Sequence, residues 1–443
     1  MDAPASNQFA LLGKRRFLPV FLVQFLGAFN DQVYQKAFVA LVTYRLADQV
    51  GIPVAQLGVI ASGLFILPFA IVTPTAGQIA DRMDKARMMR WVKAWEIVVM
   101  CLAVIGYYTQ DIVFLYFVLF LMGAQSAMFA PIKYSVLPQY LDRSELVGGN
   151  GLVQGSTFLA IIFGTILGNE LILTEHGVAV VSVVVVSVAV IGFVSALFAL
   201  PVPPAGPARP VDWLFPRAIW HLIAMVRRNR RAFLTIMAIS WFWFLGATFL
   251  SLLPAYAKEE LGVDEGVLTV LLAGFSIGVA IGALASERLT RGRVGMEIAP
   301  IGALGLSIMA VELWFATPPR ASPELMTRAE FFDDPAGWRI LVDFVLLAAF
   351  AGLYVTPLNA LLQAVSPRRK RASYIACSNV VDASLMVLSA IVVAILVALG
   401  IPVTEVLVLI TLTGLPMGFL VARHAPRSVL GRAALSVWPR RPA

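Results

Sequence analysis

The chain has two cysteines and three histidines in 443 residues, too few for a disulfide scaffold or a zinc cluster. Cys101 and Cys377 each fall inside an apolar stretch, so no disulfide framework is indicated. Charge is scarce as well. Only 14% of residues are Asp, Glu, Lys or Arg, where soluble domains carry about 25%. Together with 59% hydrophobic residues and a mean hydropathy of +0.84, this excludes a water-soluble globule. Enzyme signatures are missing too. His176, His221 and His424 are followed five positions on by Val181, Val226 and Val429, so the His-x4-Asp pattern of acyl transfer is absent. No phosphate-binding glycine loop or metal cluster appears. No catalytic residue, metal or cofactor is expected, and the chain reads as moving something without transforming it.

What it has instead is long apolar runs. Stretches able to cross a bilayer recur near 17–44, 56–80, 88–108, 112–137, 147–173 and 177–200, then near 232–257, 267–288, 296–316, 339–364, 374–399 and 402–422, which makes twelve, six on either side of a linker. The sequence therefore predicts an all-α membrane protein of two six-helix bundles, over 17–200 and 232–422. Residues 1–16 form an N-terminal tail, 201–231 a linker and 423–443 a basic tail. The first stretch is too long for a signal h-region and is read as retained.

The cations give the orientation. Of 34 lysines and arginines, 28 sit in the N-terminal tail, after even-numbered spans or in the C-terminal tail; five lie on the other side, and Lys36 lies within a span. Lys85, Arg87, Arg90 and Lys93 are counted with the cations after the second span. By the positive-inside rule both termini are cytoplasmic. The net charge of +8 then points to anionic lipid headgroups at the cytoplasmic face and not to nucleic acid. The linker opens with PVPPAGPARP, which cannot continue a helix. It continues with Trp213, Trp220 and an arginine run, which suits a segment lying on the membrane surface as well as it suits a plain tether.

The halves repeat. FLGAFN (25–30) aligns with FLGATF (244–249), GQIADRMDKAR (77–87) with GALASERLTRGR (282–293), and PIKYSVL (131–137) with PLNALLQ (357–363). Two six-span units in one orientation are the mark of a parallel-repeat transporter, with its path between the halves. Glycines four apart, at 151 and 155, 164 and 168, and 274, 278 and 282, are read as the smooth seam between moving halves or as ordinary lipid-phase packing.

GQIADRMDKAR resembles the loop signature of the major facilitator superfamily, through Gly77, Asp81, Arg82, Lys85 and Arg87. The usual second glycine is Asp84 here, and the second copy has Ser286 where the Asp would be. The resemblance implies a cytoplasmic latch at Asp81. RFLPVFLVQFLGAFNDQVYQKAF, FAPIKYSVLPQ, ELVGGNGLVQGSTFLAIIFGTILG and PLNALLQ look more narrowly like the bacterial lysophospholipid transporter family, including the transporter half of its acyltransferase and acyl-carrier-protein synthetase fusions. The chain departs from that family at Gln32, often Asn there, and at FLSLL in the seventh span, where the family carries a basic residue. Membership implies inner-membrane transport of lysophospholipids, chiefly lysophosphatidylethanolamine, from the outer to the cytoplasmic leaflet for reacylation. A separate acyltransferase or acyl-carrier-protein synthetase would consume the product.

The residues themselves place polar groups at depth. Asp31 lies about 21 Å and Lys36 about 28 Å along the first span, on different faces. Lys133 lies about 7–8 Å from the cytoplasmic end of its span, a poor partner for Asp31. Asp382 lies about 13–14 Å deep in the eleventh span. With Asn30, Asn150, Asn359 and Asn379 these residues form the expected substrate lining, acids and amides in the centre and lysines near the two surfaces. Such a lining suits a zwitterionic amphiphile, its ammonium on Asp31 and Asp382 and its phosphate on Lys36 and Lys133. Glu96 reads as a structural acid on a peripheral third span. The aromatic seventh span reads as lining a lateral opening for the acyl tail, blocked by a charge at Phe249 or Leu252, or as a plain lipid-facing helix. A proton-linked exporter of lipophilic compounds, with Asp31 and Asp382 as proton sites, is the alternative.

Overall fold

A computed structural model describes residues 7–46, 54–204, 210–317 and 324–424. Parts of the linker and of the N-terminal tail, and nearly all of the C-terminal tail, lie outside these residues. The described chain is helical, with one isolated β-bridge, between Val263 and Met326. In the first half the helices are α1 (Leu18–Arg45), α2 (Val54–Ile71), α3 (Thr73–Ala80), α4 (Lys85–Thr109), α5 (Ile112–Ser135), α6 (Leu137–Tyr140), α7 (Leu146–Ile172) and α8 (Gly177–Leu197). The linker holds α9 (Phe215–Arg227). The second half has α10 (Arg230–Ala255), α11 (Glu265–Thr290), α12 (Ala299–Ala316), α13 (Arg328–Asp333), α14 (Pro335–Val365), α15 (Arg371–Ala398), α16 (Val403–Leu412) and α17 (Gly414–Arg423).

Local chemistry starts and bends these helices. Asp84, Asp111 and Asp264 cap α4, α5 and α11 by accepting the amides of Arg87, Phe114 and Val267 at 2.9, 3.0 and 2.9 Å, which satisfies donors that a helix start leaves unpaired. The second span is broken: α2 and α3 meet at 45°, four residues past the helix-interior Pro68 and just before Pro74, each of which lacks a ladder donor. Among the described residues nine helices are long and apolar enough to cross a membrane, and the bent pair makes a tenth. The other two long helices, α1 and α4, have 28 and 25 residues. They are less apolar because both carry polar side chains into the interior.

The packing repeats as the sequence does. α1 packs on α7 and α2 on α5, and in the second half α10 packs on α15 and α11 on α14. Likewise α4 touches α5 and α8, as α12 touches α14, α16 and α17. The halves meet mainly through α7 with α11 and through α3 and α5 with α15. The glycine stripes divide accordingly. Gly151 and Gly155 do face α11, at the backbone of Ala283 and Ala280. Gly274, Gly278 and Gly282 instead face α14 within their own half, and Gly164 and Gly168 face α1 within theirs. On Gly282 any Cβ would run into the Ala349 carbonyl. These two stripes hold each bundle together and are not the seam between bundles.

The seventh span also differs from expectation. Phe249 and Leu252 are buried, and Phe249 stacks on Phe275 of α11 with ring centroids 6.4 Å apart. These positions belong to the core of the second half and line no opening toward lipid.

Candidate functional site

The arginine-rich loops and the N-terminal segment gather at one end of the molecule. Lys14 and Arg16 bind Glu145 at 2.5 and 2.7 Å, Arg90 reaches the carbonyl of Ala199, and Asp84 accepts the Val202 amide at 2.7 Å. The missing second glycine of the loop signature is thus explained. Asp84 is a helix cap that also holds the loop after α8.

At this end Asp81, beyond the C-terminus of α3, reaches across to the other half. It accepts the amides of Ala372 and Ser373 at 2.9 Å each and the Ser373 hydroxyl at 2.7 Å. These are first-turn amides of α15, whose positive dipole end favours a carboxylate. Burial pushes the Asp81 carboxyl up from its ordinary value, against those hydrogen bonds, which pull it down. Gly77 lets α3 approach Ala372 and Ala376. Lys85 is buried beside them, Arg82 is half-buried, and Arg87 is exposed and supplies only the amide that Asp84 caps. The second copy has an equivalent one residue past Ser286. Glu287 packs against Gly148 in the first turn of α7 and accepts the Gln8 amide at 3.2 Å, while Gln8 Nε2 donates to the Leu284 carbonyl at 2.9 Å.

Deeper in, Asn150 and Gln363 exchange amide hydrogen bonds of 3.0 and 2.7 Å between the halves. Asn150 is buried and commits its amide to this pair and to the Leu146 carbonyl. It forms the floor of the interior and offers no free group to a substrate. Beside it Tyr134 donates to Gln154 at 2.8 Å.

Above that floor lies the largest departure from expectation. Lys93, counted from the sequence as a cytoplasmic cation, is fully buried and pairs with Glu96 at 2.5 Å, one turn along α4. Glu96 faces inward, not to the periphery. Asn30 donates to its Oε1 at 3.1 Å and Gln125 to its Oε2 at 2.9 Å. Asn30 therefore stands behind the site as a support. Next to this cluster Ser126 donates to Asp31 Oδ2 at 2.6 Å, and Asp31 Oδ1 is left without a partner. The ion pair explains how α4 tolerates two charges in a low-dielectric interior: Lys93 and Glu96 neutralise each other, and the carboxylate has amide donors from α1 and α5.

Lys133 is the second correction. Its Nζ donates to Thr157 at 2.8 Å, and Thr157 donates to Gln24 at 3.0 Å. Thr157 lies eleven residues into α7, about 16 Å from that helix's start. Helical side chains point toward the helix N-terminus, and α5 begins at the far end, so the lysine stem carries the ammonium toward mid-span. It does not bond Asp31. Lys36 is partly exposed, beside Gly168, and makes no hydrogen bond or ion pair among the described residues.

In the second half Asp382 accepts the Ser240 hydroxyl at 2.5 Å. It shares a small cavity of about 40 Å³ with Asn359, Asn379, Gln363 and Trp243, closed from the other half by Tyr134. Asn379 Nδ2 has no partner there. The structure thus brings Asn359, Asn379 and Asp382 together on one wall, with Asp31 and Lys133 in the other half. Gln24, Lys93, Gln125, Ser126, Tyr134, Gln154 and Gln363 were not picked out from sequence. The available signals were Lys93 and Glu96 at i, i+3 in an apolar helix and the Gln125-Ser126 pair inside the fourth span.

A family model described as the Major Facilitator Superfamily matches residues 20–390. Proteins named lysophospholipid transporter LplT are similar over nearly the whole length. The one from Photorhabdus laumondii is 27% identical, covering 94% of this chain and 96% of its own. The Citrobacter koseri protein is 28% identical, covering 96% of each. Among solved structures, the human organic anion transporter MFSD10 matches with a TM-score of 0.73 at 13% identity, covering 92% of this chain and 99% of its own. FucP in the outward conformation matches with a TM-score of 0.68 at 14% identity, with the same coverage. At such identities the structural matches speak to the fold.

Proposed function

The chain belongs to the Major Facilitator Superfamily, and from that premise we propose that it carries lysophospholipids from the outer to the cytoplasmic leaflet of a bacterial inner membrane by alternating access. Twelve crossings with both termini cytoplasmic complete this reading. The named relatives support the substrate class, and the polar interior supports its chemistry. The observation that carries the proposal is the pairing of a half-committed carboxylate with a lysine on the path. Asp31 keeps one oxygen free, and Lys133 turns its ammonium toward mid-span. Ser126, which holds Asp31, precedes Lys133 on α5 by seven residues, about 10 Å of helix. A headgroup with a cationic nitrogen a few bonds from a phosphate complements that order of charges. Asp382, Asn359 and Asn379 offer a second carboxylate and two amides on the facing wall.

The hydrogen bonds of Asp81, Gln8 and Asn150 to the second half support a conformation closed at the cytoplasmic end. Transport would then require Asp81 to leave the start of α15 and Glu287 to leave Gln8, while the glycine-packed interiors of each bundle move as units. A separate acyltransferase or acyl-carrier-protein synthetase would consume the delivered lipid, and anionic headgroups would surround the basic loops.

Proteoliposomes test the substrate class directly. Purified chain should accelerate translocation of labelled lysophosphatidylethanolamine over empty liposomes and leave a lipophilic cation unmoved. Acceleration of the cation alone, driven by a proton gradient, would instead identify the exporter.

A further inference from the structure

At the basic end, a cavity of about 190 Å³ opens between the two halves and the linker helix, and no role is yet assigned to it. The first half contributes Gln78, Asp81 and Arg82, the second Arg369 and Lys370, and α9 roofs it with Leu222 and Met225. The acids nearby are already engaged. Both oxygens of Asp81 are taken by α15, those of Asp84 by the amides of Arg87 and Val202, and Asp212 pairs with His221 at 2.8 Å and Arg217 at 3.5 Å. Arg82, Arg369 and Lys370 have no side-chain hydrogen bond or ion pair among the described residues. Three cations from opposite halves thus face one cavity against a single lining acid, Asp81, which attracts Arg82 but has both oxygens held by the start of α15.

The roof fixes the depth of the site. α9 packs on α3 and α15 through its buried Ala218 and Leu222, while Trp213 and Trp220 are exposed at 74% and 68%. Tryptophan prefers the membrane–water interface, so α9 lies at headgroup level and the cavity mouth opens there. Basic pockets at this level suit the phosphate of an anionic lipid.

We propose that this cavity binds the phosphate of an anionic phospholipid headgroup, bridging Arg82 of the first half to Arg369 and Lys370 of the second. Such a lipid fits only while the halves are together at this end, so by mass action it favours the cytoplasm-closed conformation. The inner leaflet's anionic lipid content would then set how readily the transporter opens inward. The inference does not depend on which substrate is carried.

The test is equilibrium binding of a fluorescent short-chain phosphatidylglycerol to the full-length protein in uncharged micelles, where no transport occurs. Arg369→Gln/Lys370→Gln should weaken binding about tenfold or more, while removal of two exposed arginines outside the cavity, Arg227→Gln/Arg228→Gln, should leave it within about threefold. The charge-conserving exchange Arg369→Lys/Lys370→Arg should retain binding, separating lost charge from lost fold. Four outcomes would overturn the proposal. They are unchanged binding in the first variant, equally tight binding of phosphatidylcholine, displacement by micromolar inorganic phosphate, which would make the ligand a soluble anion, and loss of binding in Asp31→Asn, which would assign the lipid to the central path.

Discussion

Replacing Lys93 by methionine keeps most of the unbranched side chain and removes its charge. Glu96 would then be a carboxylate at 1% exposure without its counter-ion, holding only the amide donors of Asn30 and Gln125. Breaking a buried pair by removing one partner costs about 3–5 kcal/mol. The two amides that stay in place, each worth about 1 kcal/mol, keep the expected loss near the lower end. At roughly 2–4 °C per kcal/mol for a domain of 150–250 residues, a loss of about 3 kcal/mol lowers the melting midpoint of the first bundle by about 6–12 °C. Fluorescence-detected size exclusion after a temperature series measures it. Lys93→Met/Glu96→Gln should recover most of the loss, because a neutral amide needs no counter-charge and still accepts from Asn30. If Lys93→Met melts with the wild type, or the double variant is no better than the single, the buried pair does not organise this bundle and the reasoning fails.

Three further outcomes follow from the same geometry. Asp31→Asn should abolish lysophospholipid uptake with normal membrane levels, because the substitution is near-isosteric and lowers the insertion cost; normal uptake would remove the charge role. Asp81→Asn removes a charge-assisted contact worth about 1.5–3 kcal/mol, so spin labels on the loops after the second and tenth spans should move apart in an increased fraction of molecules. An unchanged distance distribution would show that Asp81 is no latch. Phe249→Lys, at a site 3% exposed, should lower folded yield as well as transport, and a well-folded, inactive variant would revive the lateral opening there.

Much of this was legible in the sequence, and the failures share a cause. Apolar length gave the spans, because the bilayer demands it, and aligned segments such as FLGAFN and FLGATF gave the repeat. The resemblance of GQIADRMDKAR to the superfamily's loop signature pointed to Asp81, and the structure sets its carboxylate on the first-turn amides of α15. What sequence did not reveal is where long side chains go. Lys93 was sorted by chain position with the cytoplasmic cations, yet its partner was one turn away. Lys133 was placed by its Cα, although the direction of its helix carries the ammonium inward. Asn150 read as lining because amides in spans are polar, but its partner, Gln363, is 213 positions away. Glycine spacing announces close approach without naming the neighbour, so the seam and plain packing stood as alternatives, and two of the stripes pack within a bundle. Glu287 escaped because the second repeat shifts its acid by one residue.

The most direct test of the central claim is uptake of labelled lysophosphatidylethanolamine into spheroplasts that lack any endogenous transporter, with this chain restored. The account expects uptake well above the empty vector, conversion of the label to diacyl lipid when an acyltransferase is present, and loss of both with Asp31→Asn. Uptake no higher than the vector, from a chain shown to be folded in the membrane, would contradict it.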